Sequence, residues 1–261
     1  MSWTHTVEAF NTATDSMNKI HDDAVARQFG FRGGLVPGVD VWAYLVHPCV
    51  DRWGDDFLTS GHLEARFAQP TYDGEQATAT LGEDGSLTVT DPEGTECATG
   101  SAGIDAGSVA VPDVDAGTPP PFDQRPPASA ASLEVGSTLG SIEFTFDAAK
   151  SAAYLGDIRE TDPRYLERGI SHPGFLARLC NTVLSRNVVL GPWIHVGTDA
   201  HHLGVLTDGD PAEVRARVTD EREHKGHRFV DLDVVILGRG EPIYAAFHTA
   251  IWQPRSVASS A

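Results

Sequence analysis

Residues 18–38 read NKIHDDAVARQFGFRGGLVPG, and this stretch carries the strongest structural signal in the chain. Asn18 and His21 are one helical turn apart, so a short helix would place both side chains on the same face. The dipeptide Pro37-Gly38 then opens an apolar run, residues 39–53, that predicts a buried helix. Because a helix start presents unpaired N–H groups and partial positive charge, the pattern predicts a histidine beside a place that can hold an oxyanion.

The rest of the first half predicts an antiparallel meander around that helix. Alternating or threonine-rich runs between turn residues predict strands over residues 4–12, 63–69, 76–81, 86–90 and 95–104. A similar order follows later, with a strand over 139–146, helices over 148–155 and 175–190, and strands over 214–218, 229–237 and 243–252. His172-Pro173-Gly174 precedes the second long helix as Val36-Pro37-Gly38 precedes the first. The sequence therefore predicts an internal duplication of one α+β unit.

Composition marks the boundary between the two units. Residues 109–132 are rich in proline and alanine and have no periodicity, which predicts an extended linker. We therefore assign residues 1–108 to a first unit that carries Asn18 and His21, and residues 133–255 to a second unit. Residues 256–261 are predicted to form a disordered tail.

Charge and cysteine content exclude several classes of partner and site. The 261-residue chain has a formal net charge of −18, spread along its length, which argues against a nucleic acid or an anionic membrane as partner. Its three cysteines are far apart and odd in number, which predicts reduced thiols. The first residues lack the basic and apolar regions of a signal peptide, and no apolar run is long enough for a membrane span, so we expect a cytoplasmic protein.

A long central helix wrapped by an antiparallel sheet resembles the hotdog fold, and a tandem pair resembles the double-hotdog proteins. The stretch 18–38 resembles the fingerprint of the MaoC-like family of R-specific enoyl-CoA hydratases and dehydratases. The residues that match it in order and spacing are Asn18, Ile20, His21, Ala24, Gly30-Phe31, Leu35-Val36 and Gly38. Ser16 occupies the position of the family's catalytic aspartate, with Asp15 one residue earlier. The second half has no Asn-x-x-His, and residues 150–152, Lys-Ser-Ala, stand in the corresponding region.

The resemblance implies hydration of 2-enoyl thioesters, or dehydration of 3-hydroxyacyl thioesters, carried by coenzyme A or an acyl carrier. It implies His21 as the general acid/base, with Asp15 or a water held by Ser16 as its partner. Asn18 would either orient the substrate or lock the loop. The resemblance places at most one reaction centre in the molecule, in the first half.

Four further residues are candidates for substrate binding. Gly38 and the N–H of Val39 would polarise the thioester carbonyl, because glycine allows the carbonyl a close approach to the helix start. Arg32 is a candidate for a phosphate of coenzyme A or of a phosphopantetheine arm. His172 precedes the second helix where the family often has a histidine, which implies a place in the lining of the acyl pocket.

Two other functions are open alongside this one. Ser16 in place of the aspartate suits a hotdog protein that binds acyl thioesters or a partner without catalysis. A hotdog thioesterase is the second alternative, and it would need a carboxylate or nucleophile opposite the helix start. A double hotdog encloses the usual dimer face within one chain, so a monomer and a homodimer of the duplicated chain are both open.

The histidines of the second half invite a test for a metal site. His195, His201 and His202 lie around Asp199, but their spacing across Gly197 fits no helix face, and neighbours on a strand point to opposite sides. The chain has no paired cysteines and no His-x-x-Glu-His pattern to accompany them. We therefore expect no metal site, and the resemblance implies no redox cofactor.

Overall fold

The computed structural model describes residues 2–105 and 107–255, and these form an α+β structure. Its strands are β1 (Trp3–Glu8), β2 (Gly61–Phe67), β3 (Gln76–Leu81), β4 (Ser86–Thr90), β5 (Glu96–Ile104), β6 (Ile142–Thr145), β7 (Ile194–His202), β8 (Pro211–His224), β9 (His227–Gly238) and β10 (Glu241–Gln253). Its helices are α1 (Asp23–Gln28), α2 (Gly38–Trp53), α3 (Asp55–Ser60), α4 (Ala148–Asp157), α5 (Arg164–Glu167) and α6 (Pro173–Asn187). The predicted fold class is confirmed.

The strands form one antiparallel sheet in the order β1-β3-β4-β5-β2-β7-β10-β9-β8-β6. The first half of the chain supplies one side of this order and the second half the other, so β2 and β7 form the seam between the halves. The long helices α2 and α6 contact each other, and α2 also packs against strands of both halves. Most residues of α2 are therefore buried, as its apolar sequence predicts.

The second half contains longer strands than the sequence pattern indicates. The predicted strand over residues 214–218 extends to His224, because the charged end of β8 pairs across to β9. Arg222 forms an ion pair with Asp231, and Arg228 forms one with Glu221. These cross-strand charge pairs replace the apolar alternation by which a strand is predicted. The structure also contains α3 and α5, which the sequence pattern does not predict.

The proline-rich segment 109–132 is extended, apart from one 3₁₀ turn at Phe122–Gln124 and a turn that begins at residue 130. It is hydrogen-bonded to the second half: the backbone oxygens of Asp113 and Val114 accept from Arg217 and Arg215 of β8. The side chain of Val114 is buried. The division into two units separated by this segment stays a prediction, and the predicted tail, residues 256–261, lies outside the described residues.

The described residues contain no helix that is long and apolar enough to cross a membrane. Cys49, Cys97 and Cys180 are free and buried, in agreement with the prediction of reduced thiols.

Candidate functional site

Asn18 and His21 are held together at the junction of the two halves. Asn18 caps a 3₁₀ turn, Lys19–His21, by accepting a hydrogen bond from the backbone N–H of Ile20. Its side-chain Nδ2 donates to the backbone oxygen of Trp193 at 2.9 Å, and its Oδ1 accepts from the Trp193 N–H at 3.1 Å. These two bonds to one residue of the second half fix which end of the amide is the donor.

The orientation of Asn18 sets the proton arrangement of His21. Nδ2 of Asn18 lies 3.2 Å from Nε2 of His21 and donates to it, while Nδ1 of His21 lies 2.7 Å from the backbone oxygen of Leu35 and donates to that oxygen. The ring is therefore a neutral imidazole with its lone pair on Nε2. Burial lowers the pKa of His21 from its usual value, although the Leu35 oxygen and the charge of Asp40 act to raise it. At neutral pH His21 is thus able to accept a proton on Nε2 once the hydrogen bond from Asn18 opens.

The start of α2 lies beside this pair and is open. Pro37 is the N-cap and makes no side-chain capping bond, and the N–H groups of Asp40 and Val41 bond to its backbone oxygen. The N–H groups of Gly38 and Val39 belong to the first turn, where a helix offers no internal partner. A Cβ at Gly38 would lie 2.9 Å from Nδ1 of His195, so only glycine fits at this position without a shift.

Two cavities meet at His21. An apolar cavity of about 220 Å³ includes Gly38 and His195 in its lining, and a more polar one of about 300 Å³ includes Val39. The residues that line both are Asn18, His21, Pro37, Asn181 and Trp193. Asn181 and Trp193 come from the second half, so both halves build the junction.

Asp40 is a buried carboxylate near this site that the sequence analysis missed. Its side chain is fully buried, its Oδ1 accepts from Arg178 of α6 at 2.6 Å, and its Oδ2 accepts from Thr12 at 2.6 Å. Arg178 also lies over the ring of Tyr154, with its guanidinium carbon 4.5 Å from the ring centre. The sequence offered one signal for Asp40, its position in the first turn of a helix, where a carboxylate is favourable. The ion pair was not predictable, because its partner, Arg178, lies in the other half of the chain.

His195 ends a chain of buried hydrogen bonds that leads into the apolar cavity. Nε2 of His195 lies 2.7 Å from Oγ1 of Thr198, which lies 2.8 Å from Nδ1 of His248. Nε2 of His248 donates to Oδ1 of Asn181 at 2.9 Å. With that direction, Thr198 donates to His248 and accepts from His195, which leaves Nδ1 of His195 as a bare acceptor. This atom is buried and has no hydrogen-bond partner among the described residues.

His195 and His248, the two histidines joined through Thr198, are both neutral. Burial lowers the pKa of His248 to about 3, and burial together with the charge of His248 lowers the pKa of His195 well below its usual value. From the sequence, His195 was a candidate only for a metal site. Which nitrogen of His195 is an acceptor depends on its hydrogen bonds through Thr198 to His248. Because His248 lies in β10, far from His195 in sequence, the spacing of residues does not reveal this role.

The structure brings some of the remaining candidates to the site. Asp15 is exposed and lines the polar cavity together with Ser16. The Ser16 hydroxyl accepts a hydrogen bond from the Asn18 N–H at 3.1 Å, which stabilises the turn before the motif. Asp15 and Ser16 thus border the same space as His21.

Two candidates lie elsewhere. Arg32 forms an ion pair with Glu75 and lies 4.1 Å from the ring centre of Tyr72, and it lines neither of the two cavities. His172 was expected in the pocket lining, but it is fully buried and lines neither cavity. Its Nδ1 accepts the Gly174 N–H at 2.9 Å, so its side chain caps α6 instead.

Comparison with solved structures identifies the fold. A MaoC domain protein dehydratase from Chloroflexus aurantiacus, described as putative, is 11% identical with a TM-score of 0.63, over 98% of this chain and 95% of that one. A conserved hypothetical protein from Mycobacterium tuberculosis, described as a double hotdog, is 15% identical with a TM-score of 0.60, over 96% of both chains. An oleoyl thioesterase from Lactobacillus plantarum, also described as putative, is 11% identical with a TM-score of 0.56, over 98% and 97%.

At these identities the likeness establishes the fold, which is the double hotdog. The resemblance to MaoC-like double-hotdog proteins is thereby confirmed at the level of the fold. No protein-family model and no curated protein matches the chain by sequence.

Proposed function

We propose that this protein hydrates 2-enoyl thioesters or runs the reverse dehydration of 3-hydroxyacyl thioesters. The observation that carries the proposal is the neutral His21, which borders both an apolar and a polar cavity beside the open start of α2 and whose Nε2 is held only by the neutral amide of Asn18. The double-hotdog fold, shared with proteins described as MaoC-like dehydratases, supports it.

The two cavities suit the two ends of an acyl thioester. The apolar cavity takes the acyl chain, and the polar cavity takes the thioester end of a coenzyme A or acyl-carrier arm. The N–H groups of Gly38 and Val39 then bind the thioester carbonyl oxygen and stabilise it as an enolate forms. Arg32 and His172 take no part, because Arg32 pairs with Glu75 and His172 caps α6.

His21 moves the proton in this scheme. The one lone pair of Nε2 accepts from Asn18 in this structure, so this hydrogen bond opens before proton transfer. As a water oxygen bonds to C3 of the enoyl group, Nε2 of His21 then accepts one water proton and the C2–C3 π electrons move into the enolate. The imidazolium then returns a proton to C2, which completes the 3-hydroxyacyl thioester and restores neutral His21. Asn18 positions the ring before the reaction, and the bond from Nδ1 to the Leu35 oxygen holds it during proton transfer. Asp15 or Ser16 orients the water in place of the family's aspartate.

A thioesterase is the second candidate, favoured by one observation. Asp15 supplies an exposed carboxylate on the wall of the polar cavity, where a hydrolytic water would need a base. A double hotdog described as an oleoyl thioesterase shares the fold. Hydrolysis releases a free thiol, whereas hydration does not, so one assay separates the two reactions.

The test follows crotonyl-coenzyme A by its enoyl absorbance and free thiol by a chromogenic reagent, in parallel. We expect loss of the enoyl band without thiol release, and His21→Ala to reduce kcat/KM roughly 10³-fold. Ser151→Ala is the matched control from the region that replaces the motif in the second half, and its kcat/KM should stay within about twofold of wild type. Thiol release at constant enoyl absorbance would establish the thioesterase. Substrate binding without either signal would leave a binding protein and overturn the proposal.

A further inference from the structure

A cluster of imidazole and carboxylate groups lies at the seam between the two halves, away from the proposed reaction centre. His62 of β2 and His201 of β7 are directly opposite each other in the strand register. Asp199 lies two residues before His201 and therefore projects from the same face of the sheet. All three side chains are partly exposed, and none of them lines the two cavities at His21.

The three side chains point to one place. Nε2 of His62 lies 2.8 Å from Oδ1 of Asp199, and the rings of His62 and His201 stack with their centres 4.8 Å apart and an angle of 22° between their planes. One possible ligand atom from each of the three residues lies within 4.8 Å of those of the other two. A tetrahedral ion with bonds of about 2.1 Å needs its ligands roughly 3.4 Å apart, so His62 and Asp199 must move toward His201 to close the site.

A fourth residue supports this arrangement from outside. Oδ2 of Asp105, which directly follows β5, accepts a hydrogen bond from Nδ1 of His201 at 2.7 Å. This bond fixes the ring orientation and leaves Nε2 of His201 as the free nitrogen. A carboxylate that holds the far nitrogen of a ligating histidine is a recurrent feature of zinc sites.

We propose that His62, Asp199 and His201 bind a divalent late-transition-metal ion, with Zn²⁺ as the preferred ion and Asp105 as the supporting carboxylate. Two imidazoles and one carboxylate suit Zn²⁺, whereas Mg²⁺ prefers oxygen ligands throughout. The remaining position is left to water. Spacing along the chain does not reveal this site, because His62 comes from the first half and only the β2–β7 pairing brings it to Asp199 and His201.

The location defines what the ion would do. The site joins β2 of the first half to β7 of the second, so an ion bound there links the two halves across the seam. Unfolding separates these strands and destroys the site, so the ion binds the folded chain and stabilises it by mass action. Since the site is separate from His21, the proposal does not depend on the proposed hydratase activity.

The test uses tag-free full-length protein, titrated with ZnCl2 by calorimetry and analysed for bound zinc after gel filtration. We expect one Zn²⁺ per chain and a rise in Tm of roughly 5 °C when Zn²⁺ is about 100-fold above its Kd, with no rise in MgCl2. His62→Ala and His201→Ala should each abolish binding, and Asp105→Asn should weaken it about 10- to 100-fold while leaving every ligand in place.

His224→Ala is the matched control, because His224 faces His227 across the β8–β9 hairpin and forms the other facing histidine pair of the sheet. Its zinc content and Tm shift should equal those of wild type. Absence of Zn²⁺ from the wild type would overturn the proposal. So would one equivalent retained by a His62→Ala/His201→Ala double variant with wild-type circular dichroism, since that ion would be bound elsewhere.

Discussion

The two long helices begin with the same dipeptide, Pro37-Gly38 for α2 and Pro173-Gly174 for α6, but their first turns differ in use. At α2 no side chain caps the helix, and Gly38 leaves room beside His195 and the apolar cavity. At α6 the first turn is closed, because Nδ1 of His172 accepts the Gly174 N–H. A Cβ at Gly174 would lie 2.5 Å from both Ala43 Cβ and Tyr154 Oη, so this glycine permits packing. The same local sequence thus makes a ligand-accessible helix start in one half and a packed one in the other.

The histidines near the two helix starts differ in the same way. His21 borders two cavities, whereas His172 is fully buried beside Glu160, with Nε2 3.3 Å from Oε2. Glu160 also accepts from His47 of α2 at 2.8 Å. Burial alone would raise the pKa of Glu160, but the hydrogen bonds and charges of His172 and His47 hold it well below its usual range. In the second half, ionisable groups near the helix start therefore stabilise the fold instead of facing a ligand.

The largest effect that this difference predicts is on stability. Glu160→Gln keeps the shape of the side chain but leaves His172 and His47 without a buried negative partner. We expect the free energy of unfolding at pH 6 to fall by about 3 kcal/mol, with kcat/KM per folded molecule within about twofold of wild type. Urea unfolding and the hydration assay on the same preparation measure the two quantities.

The pH dependence of that deficit provides its control. The folded pKa of Glu160 lies below its usual value of 4.5, so its contribution is present above pH 4.5 and declines as the pH falls toward the folded pKa. The difference between wild type and Glu160→Gln should therefore narrow below pH 4.5. A difference that is constant with pH would mean that packing, and not the charge, explains the loss.

The next largest effect is expected from replacing Gly38 or Gly174, the glycines at the two helix starts, with alanine. Gly38→Ala adds a methyl group that must displace the buried His195, so we expect kcat/KM to fall about tenfold and the free energy of unfolding to fall by roughly 1–3 kcal/mol. Gly174→Ala adds the same group between Ala43 and Tyr154, so we expect the free energy of unfolding to fall by roughly 1–3 kcal/mol and kcat/KM to stay within about twofold. Kinetics and thermal unfolding of both variants test this, and equal effects of the two on activity would contradict the distinction between the helix starts.

Many of the secondary-structure elements and one contact of the candidate site were predictable from local sequence. The Pro-Gly dipeptides, the apolar run of α2 and the turn residues of the first meander predict elements within a few residues of those found, and β3 and β4 match their predicted bounds. The duplication and the fold class follow from these elements. Asn18 and His21 are neighbours within one turn, so their contact was predictable as well.

Contacts between the halves were not predictable in this way. The amide of Asn18 is oriented by its hydrogen bond with Trp193. The series of hydrogen bonds that ends at His195 includes Thr198 and His248. These partners are distant in sequence, and only the strand pairing brings them together. The expectation for His172 was wrong: its place in the motif implied the pocket lining, whereas its side chain is fully buried and lines neither cavity.

His195 extends the comparison, since it is a residue of the second half that serves the cavity of the first. Its Nδ1 is an unpartnered acceptor that is buried in this structure. We predict that it binds the hydroxyl of a 3-hydroxyacyl thioester after the ring turns toward the cavity. His195→Phe keeps a ring stacked on His248 but removes that acceptor, so we expect the Kd of a 3-hydroxybutyryl thioester to rise about fivefold to tenfold. The Kd of a saturated butyryl thioester, which has no hydroxyl, should change less than twofold. Equal weakening of both ligands would show that the ring only shapes the cavity.

The smallest predicted effect concerns how kcat/KM for hydration depends on pH. The pKa values of His21 and His47 change in opposite directions. Burial lowers the pKa of His21, whereas the hydrogen bond and charge of Glu160 outweigh burial and raise the pKa of His47. Only neutral His21 accepts a proton from water, so kcat/KM for hydration should fall on the acidic side with an apparent pKa below 6.5. The same limb measured in Glu160→Gln should coincide with that of wild type, because Glu160 is not among the charges that act on His21. If the apparent pKa on the acidic side differed between wild type and Glu160→Gln, the ionisable cluster around Glu160 would control the proposed reaction centre in the first half. The two helix starts would then act as one unit.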